Sequence, residues 1–200
     1  MVLAIAAPCT VLAQTQDDAR KEHKEVVKQS KKEAKRLKKE GWQIYPADIP
    51  LEKQLERSYT MQSKVSETGS PVYVVAEATS VCMTYRCARN FAIEIAKGNL
   101  VGLIQKEIIA LVEKAETNGQ LSTDEAASIM ESVTPKFSLH FDRISPIVEI
   151  YRGKSESVEV FVRLVYGRKM ALEESKKVIR EDLEKKGKDL HEQLDKIFDF

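Results

Sequence analysis

Cysteine is scarce in this chain: Cys9, Cys82 and Cys87 are the only three among 200 residues. Three cysteines are too few for the dense disulfide framework of many small secreted proteins. A hydrophobic core must therefore stabilise the fold. An excess of charge of either sign is also missing, because 32 Lys and Arg stand against 31 Asp and Glu. This balance argues against a dedicated nucleic-acid-binding protein, which carries a clear basic excess.

The chain also lacks the motifs that indicate common enzyme chemistries. It contains no glycine-rich nucleotide-binding loop, no Gly-x-Ser-x-Gly and no Cys-x-x-Cys. Its histidines, His23, His140 and His191, lie far apart and have none of the spacings typical of metal ligands. No two carboxylates stand out as an acid–base couple, since they alternate with Lys and Arg along helical faces. The sequence therefore predicts no catalytic, cofactor-binding or metal-binding residue.

Long apolar runs are missing except in residues 1–14, which carry no charge. That run is too short to span a bilayer, which takes about 20 residues. It ends in Val11-Leu12-Ala13, a pattern that signal peptidase accepts, so we expect cleavage after Ala13, although no basic n-region precedes the apolar run. A buried N-terminal strand or helix is the alternative, and Pro8 before Cys9 makes lipid attachment at Cys9 a poorer interpretation. The leader predicts a periplasmic or otherwise exported protein.

The pattern of charge and periodicity divides the chain into four parts. These are a signal peptide (1–13), a charged helical extension (14–41), an α/β core domain (42–168) and a C-terminal amphipathic helix (169–200). The extension predicts one helix over 17–40, closed by Gly41 at C′ and by Trp42 packing back on Leu37 in a Schellman arrangement. Its apolar face is thin, so we expect it to project or to dock only through its last turns.

The core domain begins with a short helix whose apolar stripe is Leu51, Leu55 and Tyr59. A strand over 72–78 follows, then a long helix capped by Thr79 or Ser80. Gly98 and Gly102 in the middle of that helix predict a kink or close packing. The residues expected on its core face are Ala88, Phe91, Ala92, Ile95, Ala96, Leu100, Leu103, Ile104, Ile108, Leu111 and Val112.

The second half of the chain predicts a capping box at Ser122–Glu125, a short helix to about Val133, and three strands. The strands span 136–142, 147–151 and 157–166, with a turn over 153–156. A helix over 172–198 then carries apolar residues at near-heptad spacing. The expected fold class is α/β (α+β), with a three- to four-stranded, mostly antiparallel sheet on a long core helix and long charged helices at both termini.

Cys82 and Cys87 are the residues of interest in the core domain. Packed core thiols are the first interpretation, a disulfide the second, and a reactive site with a lowered thiol pKa near a helix N-terminus the third. Five residues apart on one helix, the two side chains would point about 140° apart. A disulfide therefore requires Cys82 to lie outside the helix.

The succession of strand, Ala-rich helix and later strand follows a known pattern, with Ala88, Ala92 and Ala96 on the helix and the strand at 158–166. It resembles the small bacterial envelope lipoproteins and the N-terminal domain of flagellar assembly protein T, over about half the chain. The chain departs from that pattern because it lacks a good lipobox and adds charged helices at both ends. The resemblance implies an envelope-associated, non-catalytic domain and transfers no functional residue.

These observations favour an exported, non-catalytic cell-envelope protein that acts as an interaction or structural module, with a protein partner or self-association. They predict no nucleic acid partner and no transmembrane segment. Peripheral membrane contact by the Lys-rich first helix is a weaker hypothesis. The rival is a secreted enzyme or small-ligand-binding protein with a site between core helix and sheet. The candidate residues for such a site are Tyr73, Cys82, Tyr85, Arg86 and His140.

Overall fold

The structure, a computed structural model, describes residues 9–45, 49–133, 139, 141 and 144–198, with side chains from residue 20 onward. Within these ranges there are six helices and three strands. In chain order they are α1 (Cys9–Lys39), α2 (Leu51–Gln62), β1 (Tyr73–Cys82), α3 (Tyr85–Thr117), α4 (Thr123–Val133), β2 (Val148–Lys154), β3 (Ser157–Gly167), α5 (Arg168–Lys185) and α6 (His191–Ile197). The strands form one antiparallel sheet in the order β1-β3-β2. The predicted α+β fold, an antiparallel sheet packed on a long helix, is confirmed.

The sheet lies between two helical layers, and the two-residue period of β3 accounts for this. Val160, Val162 and Leu164 point to one face, where they pack against α3. Phe161 points to the other face, where its ring meets Trp42 edge-on at 6.3 Å between centroids. The second face is covered by α1 and α2, which pack against each other.

The first helix ends as predicted. Gly41 has a φ of +86°, and the Trp42 N–H donates to the Leu37 carbonyl at 3.0 Å, the bond that defines a Schellman motif. The helix docks more extensively than expected, however, because Ser30 and Ala34 are fully buried and contact with the rest of the fold reaches back to Val26. Small side chains at these positions let the last four turns of α1 lie close to α2.

The first strand is longer than predicted and the core helix begins later. β1 pairs with β3 as far as Cys82 opposite Val158, so the residues expected to cap the helix, Thr79 and Ser80, lie in the strand. The cap is Thr84, whose Oγ1 accepts the Cys87 N–H at 3.3 Å. The pairing of β1 with β3 determines this boundary, because the contacts along a strand pair stabilise the fold more than a single helix cap does.

The predicted C-terminal helix is broken in two. Gly187, with a φ of +70°, closes the first part, and α6 begins at His191. The near-heptad stripe is buried throughout: Leu172, Ile179, Leu183, Leu190, Leu194 and Ile197. These residues pack with α4 and the second half of α3 in an internal core, so this stripe is not a surface for coiled-coil pairing.

The segment between α4 and β2 lies largely outside the described residues, including most of the strand predicted over 136–142. The predicted capping box before α4 is confirmed, since the Ser122 N–H donates to Glu125 Oε2 at 2.8 Å and the Glu125 N–H donates to Ser122 Oγ at 3.3 Å. Phe141 meets Tyr166 edge-on at 5.0 Å. No helix in the described ranges is long and apolar enough to cross a membrane.

Candidate functional site

One face of α3 is buried against the sheet and, farther along the helix, against α4, α5 and α6, and its residues recur at every fourth position from Ala88 to Val112. The residues of this buried ladder are Ala88, Ala92, Ala96, Leu100, Ile104, Ile108, Val112 and Ala115. The first three are alanines with no exposed surface, and they allow the helix to lie close to β1 and β3. A strict spacing of four leaves the adjoining row, one residue earlier along the helix, on the flank of α3.

That flank is apolar and exposed. Phe91, Ile95 and Leu103 are 58%, 47% and 42% exposed, so their predicted place in the core is wrong. With Cys87 and Asn99 they form a row at spacing four, here called the α3 row. Gly98 and Gly102 also face open space, since a Cβ added at either would meet no atom within 4 Å, and the helix continues through both. The close packing predicted at these glycines is therefore wrong, and the helix is not interrupted at either of them.

The α3 row lies beside the open edge of β1, an edge strand in the described sheet. The Arg163 carbonyl accepts the Ile147 N–H at 2.9 Å, so the backbone of Arg163 faces β2. Glu77, its partner on β1, must therefore present its backbone groups outward. Because the direction of the backbone groups alternates along a strand, those of Val75, Thr79 and Val81 also point to that edge.

Asn99 joins the two features, because its side-chain amide donates to the outward Glu77 carbonyl at 2.9 Å. Val81 and Met83, at the end of the strand, are 50% and 83% exposed. A groove of about 360 Å³ lies at the other end, lined in part by Val75 and Leu103. We call the open edge over 75–83 together with the α3 row the β1–α3 surface; its one ionisable side chain is Glu77.

A disulfide fixes one end of this surface. Cys82 is the last residue of β1 and Cys87 lies in the first turn of α3, with 5.8 Å between their Cα atoms. Cys82 thus lies outside the helix, as a bond requires, and the interpretation of the pair as packed core thiols is corrected. Both residues are half-buried. The bond holds the strand edge and the α3 row in one fixed relation.

A cluster of tyrosines and charged groups lies at the N-terminal end of α3, on the β2 side. The Tyr85 hydroxyl donates to the Glu149 carboxylate, and Arg89 Nε donates to the same oxygen at 2.6 Å. This hydrogen bond from Arg89 to Glu149 is the main cause that raises the pKa of Arg89. Tyr45 stacks on Tyr85 at 4.9 Å and Tyr151 meets it edge-on at 5.4 Å. These contacts join α3, β2 and the segment before α2.

The residues proposed for a scattered enzyme site are not brought together. Tyr73 and Cys82 lie at opposite ends of β1, about 30 Å apart at the rise of an extended strand. Tyr85 is held by Glu149, Arg86 is exposed on α3, and His140 lies outside the described residues. Among the residues whose side chains are described, no three His, Cys, Asp or Glu are grouped as metal ligands.

A cleft of about 590 Å³ lies on the other face of the sheet, between α2 and the start of β2, rather than between core helix and sheet. Its walls are mainly apolar and include Ile49, Met61, Pro146, Ile147 and Val165. Gln54 lines it too, but both ends of its amide are engaged, with Ile49 and Glu149 at 2.8 Å each. Arg57 is the exposed cation at its rim.

No protein-family model matches this chain, and neither a curated protein nor a solved structure is significantly similar to it. The sequence pattern alone predicts that Phe91, Ile95 and Leu103 of the α3 row lie in the core. The signal that separates them is the unbroken spacing of four in Ala88, Ala92 and Ala96, which marks one narrow buried face rather than a broad one.

Proposed function

We propose that this chain is an exported, non-catalytic cell-envelope protein that binds another protein chain through the β1–α3 surface. The observation that carries the proposal is that the edge of β1, which no other described strand pairs with, lies beside exposed Phe91 and Ile95. An unpaired strand edge offers backbone donors and acceptors to a second strand. Exposed apolar side chains grouped beside it are typical of protein–protein contact sites.

Two further observations support the proposal. A disulfide between Cys82 and Cys87 favours an oxidising compartment such as the periplasm, where such bonds persist. The candidate catalytic side chains are dispersed or held in structural contacts, as Tyr85 is by Glu149. An interaction module needs an accessible surface, and the β1–α3 surface provides one.

A second candidate function is the binding of a small apolar ligand in the cleft beside α2. Its volume of about 590 Å³ falls in the usual range for ligand pockets, and Arg57 at the rim would suit an acidic head group. Substituting Arg57→Ala, with Lys53→Ala as an exposed control on the same helix, would separate a specific site from general charge attraction. If both variants bind a fluorescent fatty acid equally well, the Arg57 guanidinium has no specific role in binding the head group.

Site-specific photo-crosslinking in the native producing cells tests the main proposal. A photoreactive residue at position 95 is compared with one at position 49, because Ile95 and Ile49 are the same residue type with 47% and 42% exposure. We expect a discrete protein adduct from position 95 and none from position 49. The absence of any adduct at position 95 would contradict the proposal.

The localisation is tested separately by N-terminal sequencing of the product of the full-length gene. A chain that starts at Gln14 is expected from cleavage after Ala13. A product that keeps its leader in the cytoplasm would contradict export, whatever its partners are.

A further inference from the structure

We propose that the occupant of the β1–α3 surface is a second copy of this chain, with the two copies paired across a two-fold axis beside β1. This inference rests on the proposed function and adds the identity of the partner. The two β1 strands would run antiparallel and join the two sheets into one of six strands. A two-fold interface needs one patch that complements itself, and an antiparallel strand edge meets that condition.

Thr79 is the natural centre of the strand pairing, because it lies midway between Glu77 and Val81 and presents its backbone outward with them. Centred there, Thr79 of one copy would exchange two hydrogen bonds with Thr79 of the other. Glu77 would then lie opposite Val81 rather than opposite itself, so the only charge on the surface would meet no like charge. The hydrogen bond from the Asn99 amide to the Glu77 carbonyl would break, and that carbonyl would accept a hydrogen bond from the other copy's strand.

The same centre brings the helical flanks together. Asn99 contacts Glu77, and two residues of strand span about 7 Å while four residues of helix span about 6 Å. Ile95 therefore lies level with Thr79, close to the axis. In the dimer Ile95 of one copy would face Ile95 of the other, and Phe91 would face the other copy's Asn99.

The spacing of the two α3 helices also fits direct packing. α3 contacts both β1 and β3, which places its axis above the space between them. Neighbouring strands lie about 4.8 Å apart, so two helices in that position on either side of a β1–β1 pair would have axes about 10 Å apart. Packed helices have axes about 8–10 Å apart, so the α3 rows would meet without a gap.

The area available is enough for a reversible dimer. The exposed fractions of Val81, Met83, Phe91, Ile95 and Leu103 lie between 42% and 83%. At roughly 150–200 Å² for each large apolar residue, these side chains offer on the order of 500 Å² per copy, or about 1,000 Å² in the dimer. This is the lower limit for a specific interface, so we expect association on the order of micromolar.

Sedimentation of the full chain at concentrations from about 1 to 100 μM tests the dimer and its surface. We expect a concentration-dependent dimer that is weakened at least tenfold by Ile95→Lys and by Thr79→Pro, but not by the matched control Ile49→Lys. Because the Thr79 N–H faces the open edge, proline there removes a donor from the interface and leaves the ladder to β3 intact. Circular dichroism and urea midpoints verify that each variant folds.

Disulfide crosslinking of engineered cysteines tests the register of the β1–β1 pair. The Cys9→Ser background is used so that the engineered cysteine is the one thiol outside the Cys82–Cys87 bond. Thr79→Cys should form a covalent dimer on mild oxidation, because directly opposed residues have Cα atoms about 5.5 Å apart, within disulfide range. Val75→Cys, four residues from the axis, should not.

The outcomes separate this inference from the proposed function. A protein that stays monomeric throughout, or a dimer that neither Ile95→Lys nor Thr79→Pro weakens, would overturn the second-copy partner. Crosslinks from position 95 to a different protein, with a monomeric purified chain, would also overturn it and leave the proposed function standing. The absence of both dimer and adduct would remove both.

Discussion

At the scale of single residues, the Cys82–Cys87 bond connects the end of β1 to the first turn of α3. The two cysteines are five positions apart, so the bond closes a short loop. Replacing both with serine should lower the free energy of unfolding by about 2 kcal/mol, the contribution expected from a loop of this size. Urea denaturation of the variant measures the loss, and adding reductant to the unmodified protein should reproduce it. Mass spectrometry that finds both thiols free in the non-reduced protein would contradict the bond.

Glu159 is a second residue whose surroundings give a testable expectation. Glu159 is only 8% exposed, and its carboxylate accepts hydrogen bonds from Arg152 Nε at 2.6 Å and from Lys154 Nζ at 3.1 Å. Burial alone would raise the pKa of Glu159, but the hydrogen bonds from Arg152 and Lys154 outweigh it and lower the pKa. The contacts extend further, because the Arg152 guanidinium lies 4.5 Å from the centre of the Trp42 ring.

A lowered pKa in the folded state means that ionised Glu159 stabilises the protein above the unfolded value of about 4.3, and that this contribution is lost as the pH falls through the folded pKa. Glu159→Gln should therefore lower stability by about 1 kcal/mol at neutral pH and by less at about pH 3, where a larger fraction of the carboxyl group is protonated. Urea midpoints at the two pH values measure this, with Glu156→Gln in the exposed turn as control. A loss that is equal at both pH values would contradict the charged role.

At the scale of elements, a glycine inside a helix and a glycine just after a helix should respond oppositely to the same substitution. Gly98 lies inside α3 facing open space, so Gly98→Ala should stabilise by roughly 0.5–1 kcal/mol through its higher helix propensity. Gly187 ends α5 with a φ of +70°, so Gly187→Ala should destabilise by about 1 kcal/mol, because a Cβ disfavours that conformation. Urea midpoints of the two variants measure the sign, and a shift in the same direction for both would contradict the assignment.

At the scale of the whole molecule, α3 contributes to two hydrophobic cores. Its first half packs on the sheet and its second half packs with α4, α5 and α6. A third cluster around Trp42 lies on the opposite face of the sheet. Because α3 and the sheet each contribute to more than one core, a substitution that destabilises one core should also lower the stability of the others.

The Leu194→Ala substitution in α6 tests this cooperativity. Leu194 is 1% exposed, so truncation should cost about 2–5 kcal/mol, whereas Lys196→Ala on the exposed side of the same helix should cost little. Fluorescence of Trp42, the one tryptophan in the chain, reports on the distant cluster. We expect its unfolding midpoint to fall together with the midpoint from circular dichroism. Two separate midpoints would show that the cores unfold independently.

Local signals in the sequence predicted the features that depend on neighbouring residues. The closure of α1 by Gly41 and Trp42 and the Ser122–Glu125 capping box use hydrogen bonds within one turn, so a short window contains all the chemistry involved. The fold class followed from periodicity for the same reason, because alternating and helical spacings record which side of each element is apolar.

Long-range pairing decided the rest. The register of β1 against β3 extended the strand to Cys82 and moved the helix start to Tyr85, which placed the two cysteines within bonding distance. The same packing selected the alanine ladder as the face of α3 that meets the sheet and left Phe91 and Ile95 exposed. Periodicity shows that a helix has apolar residues on two adjoining rows, but which row is buried depends on the partners that the tertiary structure brings to it. The sequence by itself therefore determined the local structure of the protein, whereas the tertiary structure determined its candidate interaction surface.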